Sequence, residues 1–225
     1  MKGRLGPRRG AAAVLGAAAV AILAAVATLA ARQAQGPLPA GPDAITDCDR
    51  RAAHPSDPDK VGDGVATEVV MRDLEGAIAA CERDAAAYPG SPRLKYQLGR
   101  VLYYAKLYSR GFGLIEEAAR AGHRQAQFVA GLLYTTGQPG GTPDRNPCLA
   151  LERWREAADR GHLAAQISLS RDVLRQAYTA CPGVPDLDVV AGYLRSAARA
   201  TRGYYETLLI EYLQEEIQRA KSAPR

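Results

Sequence analysis

The chain repeats itself, and this constrains its fold more than any other feature. Shifted by 39 positions, Glu117-Ala118-Ala119-Arg120-Ala121-Gly122-His123 falls on Glu156-Ala157-Ala158-Asp159-Arg160-Gly161-His162. The match runs on through Ala126-Gln127 over Ala165-Gln166, so seven of eleven aligned positions are identical. A weaker third copy sets Ala197-Ala198 40 positions beyond Ala157-Ala158. Upstream, Tyr96-Gln97-Leu98-Gly99 resembles Phe128-Val129-Ala130-Gly131 at a shift of 32. A period in this range marks a small supersecondary unit that cannot bury its apolar side alone and is covered by its neighbours.

Local signals divide each unit into two helices. Asp73 is placed to cap a helix running to about Tyr88. Ser91-Pro92 and Asn146-Pro147 each set a capping side chain before a proline at the first helical position. Gly122 and Gly161 stand where a helix ends in a left-handed residue. The helices expected are 73–88, 92–108, 112–121, 124–136, 147–160, 163–179, 187–200 and 204–220, with no convincing alternating strand. Leu94, Leu98, Val101, Leu102 and Ala105 keep helical spacing, as do Leu209, Leu213 and Ile217. Ala118, Ala119, Ala157 and Ala158 are small enough for neighbouring helices to approach closely. The last helix carries Glu206, Glu211, Glu215 and Glu216 away from its apolar side and is expected to be a solvated end cap.

Two further passages carry a family resemblance. They are Ala126-Gln127-x-x-Ala130-Gly131-x-x-Tyr134-x-x-Gly137 and Ala150-Leu151-x-x-Trp154-x-x-Ala157-Ala158-x-x-Gly161-His162, joined by a loop from Gln138 to Pro147. The pattern resembles the Sel-1-like repeat, a branch of the tetratricopeptide-type helical repeats. The resemblance covers about residues 73–203, with one good unit and degenerate neighbours. Ser170 replaces the glycine equivalent to Gly131 in the next unit. The segment from Ala77 to Pro89 resembles the second helix of an earlier unit. The resemblance implies an all-α, right-handed α-α superhelix, a solenoid of antiparallel helix pairs that serves as a scaffold for protein partners. It names no partner.

The formal charge of +5 invites a nucleic-acid reading, but Lys2, Arg4, Arg8, Arg9 and Arg32 account for all of it. The rest of the chain is formally neutral and has no general attraction for phosphate backbones. Arg8 and Arg9 precede an uncharged, alanine-rich run of 22 residues, Gly10 to Ala31. A basic start before an apolar run is an export signal. The run is longer than an ordinary cleaved signal and near the span of a bilayer, so a cleaved signal and a retained N-terminal anchor both stay open. Either places the body outside the cytoplasm, in a bacterial periplasm, with membrane contact confined to residues 10–31 if that run is kept. The expected organisation is 1–34 export segment, 35–72 linker and irregular lead-in, 73–220 helical repeat domain and 221–225 tail.

Cys48, Cys81, Cys148 and Cys181 all lie beyond the export segment. An even count in an exported chain suggests disulfides, and four cysteines allow three pairings. The sequence-local one joins Cys48 to Cys81 and Cys148 to Cys181, each 33 residues apart. Antiparallel helices favour the second bridge, since Cys148 begins one expected helix and Cys181 follows the end of the next. Zinc binding by these cysteines with His54, His123 and His162 lacks the usual close ligand spacing, and no metal or cofactor is expected.

Tyr96, Arg100, Tyr104 and Tyr108 fall at helical spacing and are the candidate protein-binding stripe. The alternative is ordinary packing with polar tips at the surface. Trp154, with Ile115 as its counterpart, is expected in the core. His123 and His162 recur at a helix-to-helix corner, which points to a structural or surface role, and His54 is expected on a solvated loop. Asp57, Asp59 and Asp63 cluster before the first expected helix without the spacing of a calcium loop. No catalytic motif is found. The expected function is therefore a non-enzymatic scaffold binding a protein or peptide in the cell envelope. An envelope enzyme or wall-binding protein acting on peptidoglycan or a β-lactam, and a purely structural stack, remain as alternatives.

Overall fold

A computed structural model of the chain describes residues 44–138 and 142–222. The export segment read at residues 1–34, and the spacer up to Asp43, lie outside the described residues. The described residues are all-helical, with ten helices and no strand. These are α1 (Asp47–Ala52), α2 (Thr67–Arg72), α3 (Leu74–Ala87), α4 (Pro92–Tyr104), α5 (Tyr108–Arg120), α6 (Arg124–Thr136), α7 (Pro147–Asp159), α8 (Leu163–Leu174), α9 (Leu187–Ala200) and α10 (Tyr204–Ser222). None of them is long and apolar enough to cross a membrane.

The caps sit where the side chains dictate. Asp73, Ser91 and Asn146 accept the backbone N–H three residues on, starting α3, α4 and α7. Gly122 and Gly161 take φ of +87° and +80° between α5 and α6 and between α7 and α8, a region open to glycine at little cost. Two further breaks fall at residues that give no sequence warning. Lys106 (φ 62°) ends α4 at Tyr104, and Gln176 (φ 57°) ends α8 at Leu174, both short of the expected ends. Helices α1 and α2, of six residues each, were not expected at all.

Consecutive helices pack as hairpins, α4 with α5, α6 with α7 and α8 with α9, and each hairpin lies on the next through α5–α6 and α7–α8. The core is accordingly a series of linked apolar groups along the chain. One holds Cys48, Ala77, Leu94 and Leu98, the next Tyr96, Ile115, Ala126 and Tyr134. A third holds Trp154, Ala165, Leu169 and Tyr178, and the last Val190, Leu194, Ile210 and Ile217. Two glycines set the spacing. A Cβ on Gly131 would lie 2.2 Å from the Trp154 ring, and one on Gly99 would lie 2.8 Å from Ile115, the counterpart of Trp154. Trp154 is buried and donates Nε1–H to the Phe128 carbonyl at 2.9 Å.

The cysteines form two disulfides, Cys48–Cys81 and Cys148–Cys181, with Cα atoms 4.5 and 5.2 Å apart. The first ties α1 to α3. Around it, buried Asp49 completes the capping box of α1 with Thr46 and pairs with buried Arg93, while Gln97 donates to it at 2.8 Å. Asp84 accepts the Cys48 N–H at 2.8 Å. At the other end α10 buries Ile210, Leu213 and Ile217 against α8 and α9. The expected face of Leu209, Leu213 and Ile217 is thus rotated. Leu209 points outward with Tyr204, Tyr205, Leu208 and Tyr212, so the solvated side of α10 expected from its glutamates also carries apolar side chains.

Candidate functional site

The expected stripe does not run the length that its spacing implied. Because α4 ends at Tyr104, Tyr108 begins α5 and packs edge-on to Tyr103, with ring centroids 4.9 Å apart. Tyr96 and Arg100 are buried, and Tyr104 is partly exposed. Arg100 spends its donors inside the molecule. Its guanidinium reaches the Ala52 carbonyl at 2.8 Å, the Val65 carbonyl at 3.2 Å and, through Nε, the Tyr104 hydroxyl at 3.0 Å. Ala53 and Val65 are themselves bridged by a backbone hydrogen bond of 2.7 Å. Arg100 therefore closes the base of a loop, residues 53–65, that folds back over the first helices.

That loop is anchored further along by its carboxylates. Asp59 accepts the Arg124 backbone N–H at 2.7 Å and two guanidinium N–H groups at 2.6 and 2.8 Å. Burial would push the Asp59 carboxyl up, but the hydrogen bonds from Arg124 hold it below the usual range. Asp57 is wholly buried, with Oδ2 3.4 Å from His123 Nε2. Burial raises its pKa to about 6, against the pull of the Asp59 N–H that it accepts.

His123 and His162 build equivalent corners. Each caps a helix, with Nδ1 accepting the N–H of Ala126 or Ala165 at 3.3 or 3.2 Å. Each also stacks on an aromatic ring of the preceding hairpin, His123 on Tyr96 at 5.0 Å and His162 on Phe128 at 4.9 Å. Since Nδ1 is an acceptor, the proton of the neutral ring is on Nε2. His162 Nε2 donates it to Gln125 Oε1 at 2.9 Å, and Asp57 faces His123 from the matching position. Burial lowers both pKa values to about 4. Of the structural or surface role expected for these histidines, the buried caps display the structural one.

Asp57, Asp59 and His123 bring ligand-type atoms within 4.8 Å of one another, a grouping that sequence reading did not assemble. A metal there would need the lone pair of His123 Nε2, and the helix cap at Nδ1 holds the proton on that nitrogen. Arg124 already occupies both Asp59 oxygens. This donor set suits an anchored loop better than a cation.

Between the loop and the helices lies a chamber of about 320 Å³. Tyr96, Tyr103 and Tyr104 of α4 form one wall, and Phe128, Val129 and Leu132 of α6 form the other. His54, Ser56, Gln125 and His162 add a polar edge. His54 is half-buried instead of solvated, as its loop position had suggested. Burial and the charges of Arg100 and Lys60 lower its pKa. Its Nδ1 accepts the Ser56 N–H at 3.1 Å. An apolar chamber with a few polar groups on one edge has the makeup of a ligand-binding site. Tyr103 of α4 and Phe128, Val129 and Leu132 of α6 are chamber residues that sequence reading missed, because the apolar face of α6 reads as one stripe whether or not a neighbour covers it. Comparison of the sequence with protein-family models and with curated proteins finds no match.

Proposed function

We propose that the protein is an exported helical-repeat scaffold of Sel-1-like type, a right-handed solenoid that binds a protein or peptide in the cell envelope. The chamber between α4 and α6 carries this reading. It is large enough for a bulky apolar side chain and offers hydrogen-bonding groups at its edge for the adjoining backbone. The two disulfides fit an oxidising, extracytoplasmic compartment such as the periplasm. Residues 1–34 supply the export signal or anchor in this reading. Tyr96 and Tyr104 contribute as chamber walls, and Arg100 as the residue that holds the loop beside them.

The test is crosslinking of the purified chain in envelope extract, comparing the natural sequence with Leu132→Glu. Leu132 lines the chamber and is half-exposed, so the substitution changes the cavity and leaves the core intact. Loss of the captured protein, with an unchanged melting midpoint, is the expected result. An identical set of crosslinked proteins from both forms contradicts the reading.

A further inference from the structure

Among the described residues, the outer face of α10 gathers exposed apolar side chains that neither the core nor the chamber uses. Tyr204, Tyr205 and Tyr212 are 71, 83 and 54% exposed, and Leu208 and Leu209 are 44 and 38% exposed. On a helical wheel these five side chains span one side, with Ile210, Leu213 and Ile217 buried on the other. Single exposed apolar residues are ordinary, whereas five on one face form a patch that marks an interface. Tyrosine is also enriched at such surfaces.

We propose that this face pairs with the same face of a second copy, α10 against α10, antiparallel about a two-fold axis near Leu208. Three observations select that occupant. The patch is nearly palindromic along the helix: tyrosines at 204 and 205, leucines at 208 and 209, a tyrosine at 212. Antiparallel pairing about Leu208 sets leucines on leucines and Tyr212 on the Tyr204–Tyr205 pair, the self-complementarity that a closed two-fold contact requires. Second, the same register brings the exposed Arg202, just before α10, near the exposed Glu211 of the other copy. The ends of the patch are then complementary in charge. Third, the exposed area of the five side chains is roughly 500–600 Å² at about 200 Å² per full side chain. Two copies would bury at most about 1,000–1,200 Å², the lower edge of what a specific interface needs.

The register can be tested in the exporting cell with the full chain. A photo-crosslinkable benzoylphenylalanine is placed at Tyr212, and adducts are read by mass and by the peptide they join. The expected product has twice the chain mass and links position 212 to the segment around Tyr204 and Tyr205. A second chain carrying Tyr205→Glu and Leu208→Glu loses that product by at least about 100-fold, the effect of removing a central anchor of an interface. Both substituted positions are exposed, and an unchanged melting midpoint shows that the fold persists. The proposal is overturned by the absence of a doubled species, by one that survives the double substitution, or by crosslinks solely to lipid or to another protein.

Discussion

The two ends of the helical array are closed by opposite means. At the N-terminal end, α1 is only six residues long, too short to hold helical form by itself. It is fixed by a disulfide, by the buried Asp49–Arg93 pair and by hydrogen bonds from Gln97 and to Asp84. Arg100, Asp57 and Asp59 then tie the following loop to α4 and α6. At the C-terminal end, α10 runs for 19 residues and rests mainly on an apolar seam of Ile210, Leu213 and Ile217. Its ion pair to the preceding helix, Lys221–Asp188, is at the surface. A short element needs directional polar contacts to have one position. A long amphipathic one is held by area, and it can leave its far side for another surface.

Breaking the polar lock should show the largest effect. Asp49→Ala removes the acceptor of the buried Gln97 amide and one partner of buried Arg93, and should lower unfolding free energy by about 3–5 kcal/mol in urea titrations. A loss below about 1 kcal/mol would mean that α1 is not held by this network. Removing the Cys48–Cys81 bridge as a double alanine variant should cost about 3–4 kcal/mol. The same change at Cys148–Cys181 should cost a similar amount, since both close loops of 33 residues. In hydrogen exchange, only the first variant should expose α1.

Much of this contrast was legible in the residues, but unevenly. The repeat, the caps at Asp73, Ser91 and Asn146, and the glycine corners were readable because each acts through nearby backbone. The helix ends at Tyr104 and Leu174 were not, because Lys106 and Gln176 adopt left-handed conformations with no glycine or asparagine to announce them. The lead-in looked irregular, and its acids had no partner that their spacing could indicate. Their partners His123 and Arg124 are more than sixty residues away, and only the stacked hairpins bring them together. Tyr96, Arg100 and Tyr104 do share α4, but periodicity could not say that Tyr96 and Arg100 face inward.

Acidification sharpens the comparison between the lead-in corner and the inner one. His123 and His162 have folded pKa values lowered to about 4, so the folded state binds fewer protons than the unfolded chain between about pH 6.5 and 4. Their contribution is complete above about pH 6.5 and falls as pH drops, by roughly 2–3 kcal/mol each at pH 4.5. Asp57 has the opposite sign. Its folded pKa, raised to about 6, means that the folded state takes up a proton first, which offsets roughly 2 kcal/mol of that loss. Asp57→Asn removes the offset while leaving an uncharged group of the same shape opposite His123. The variant should be no less stable at pH 7 and lose more stability than the natural chain on going to pH 4.5, read as paired urea midpoints. Equal losses would mean that Asp57 does not titrate in this range.

The smallest effect should lie at the C-terminal ion pair. Lys221→Ala removes a surface contact with an exposed carboxylate and should leave the thermal midpoint nearly unchanged. A larger loss would show that α10 depends on that charge and not on its apolar seam.

Native-state hydrogen exchange resolved by mass spectrometry reads both ends in one experiment on the disulfide-bonded chain. Amides of α3 and α4 should exchange only at the global unfolding free energy, with α1 protected alongside them, whereas α10 opens at a lower free energy in dilute, unassociated protein. Protection of α10 equal to that of α4 under those conditions, or free exchange in α1, would contradict an array locked at one end and held by apolar area at the other.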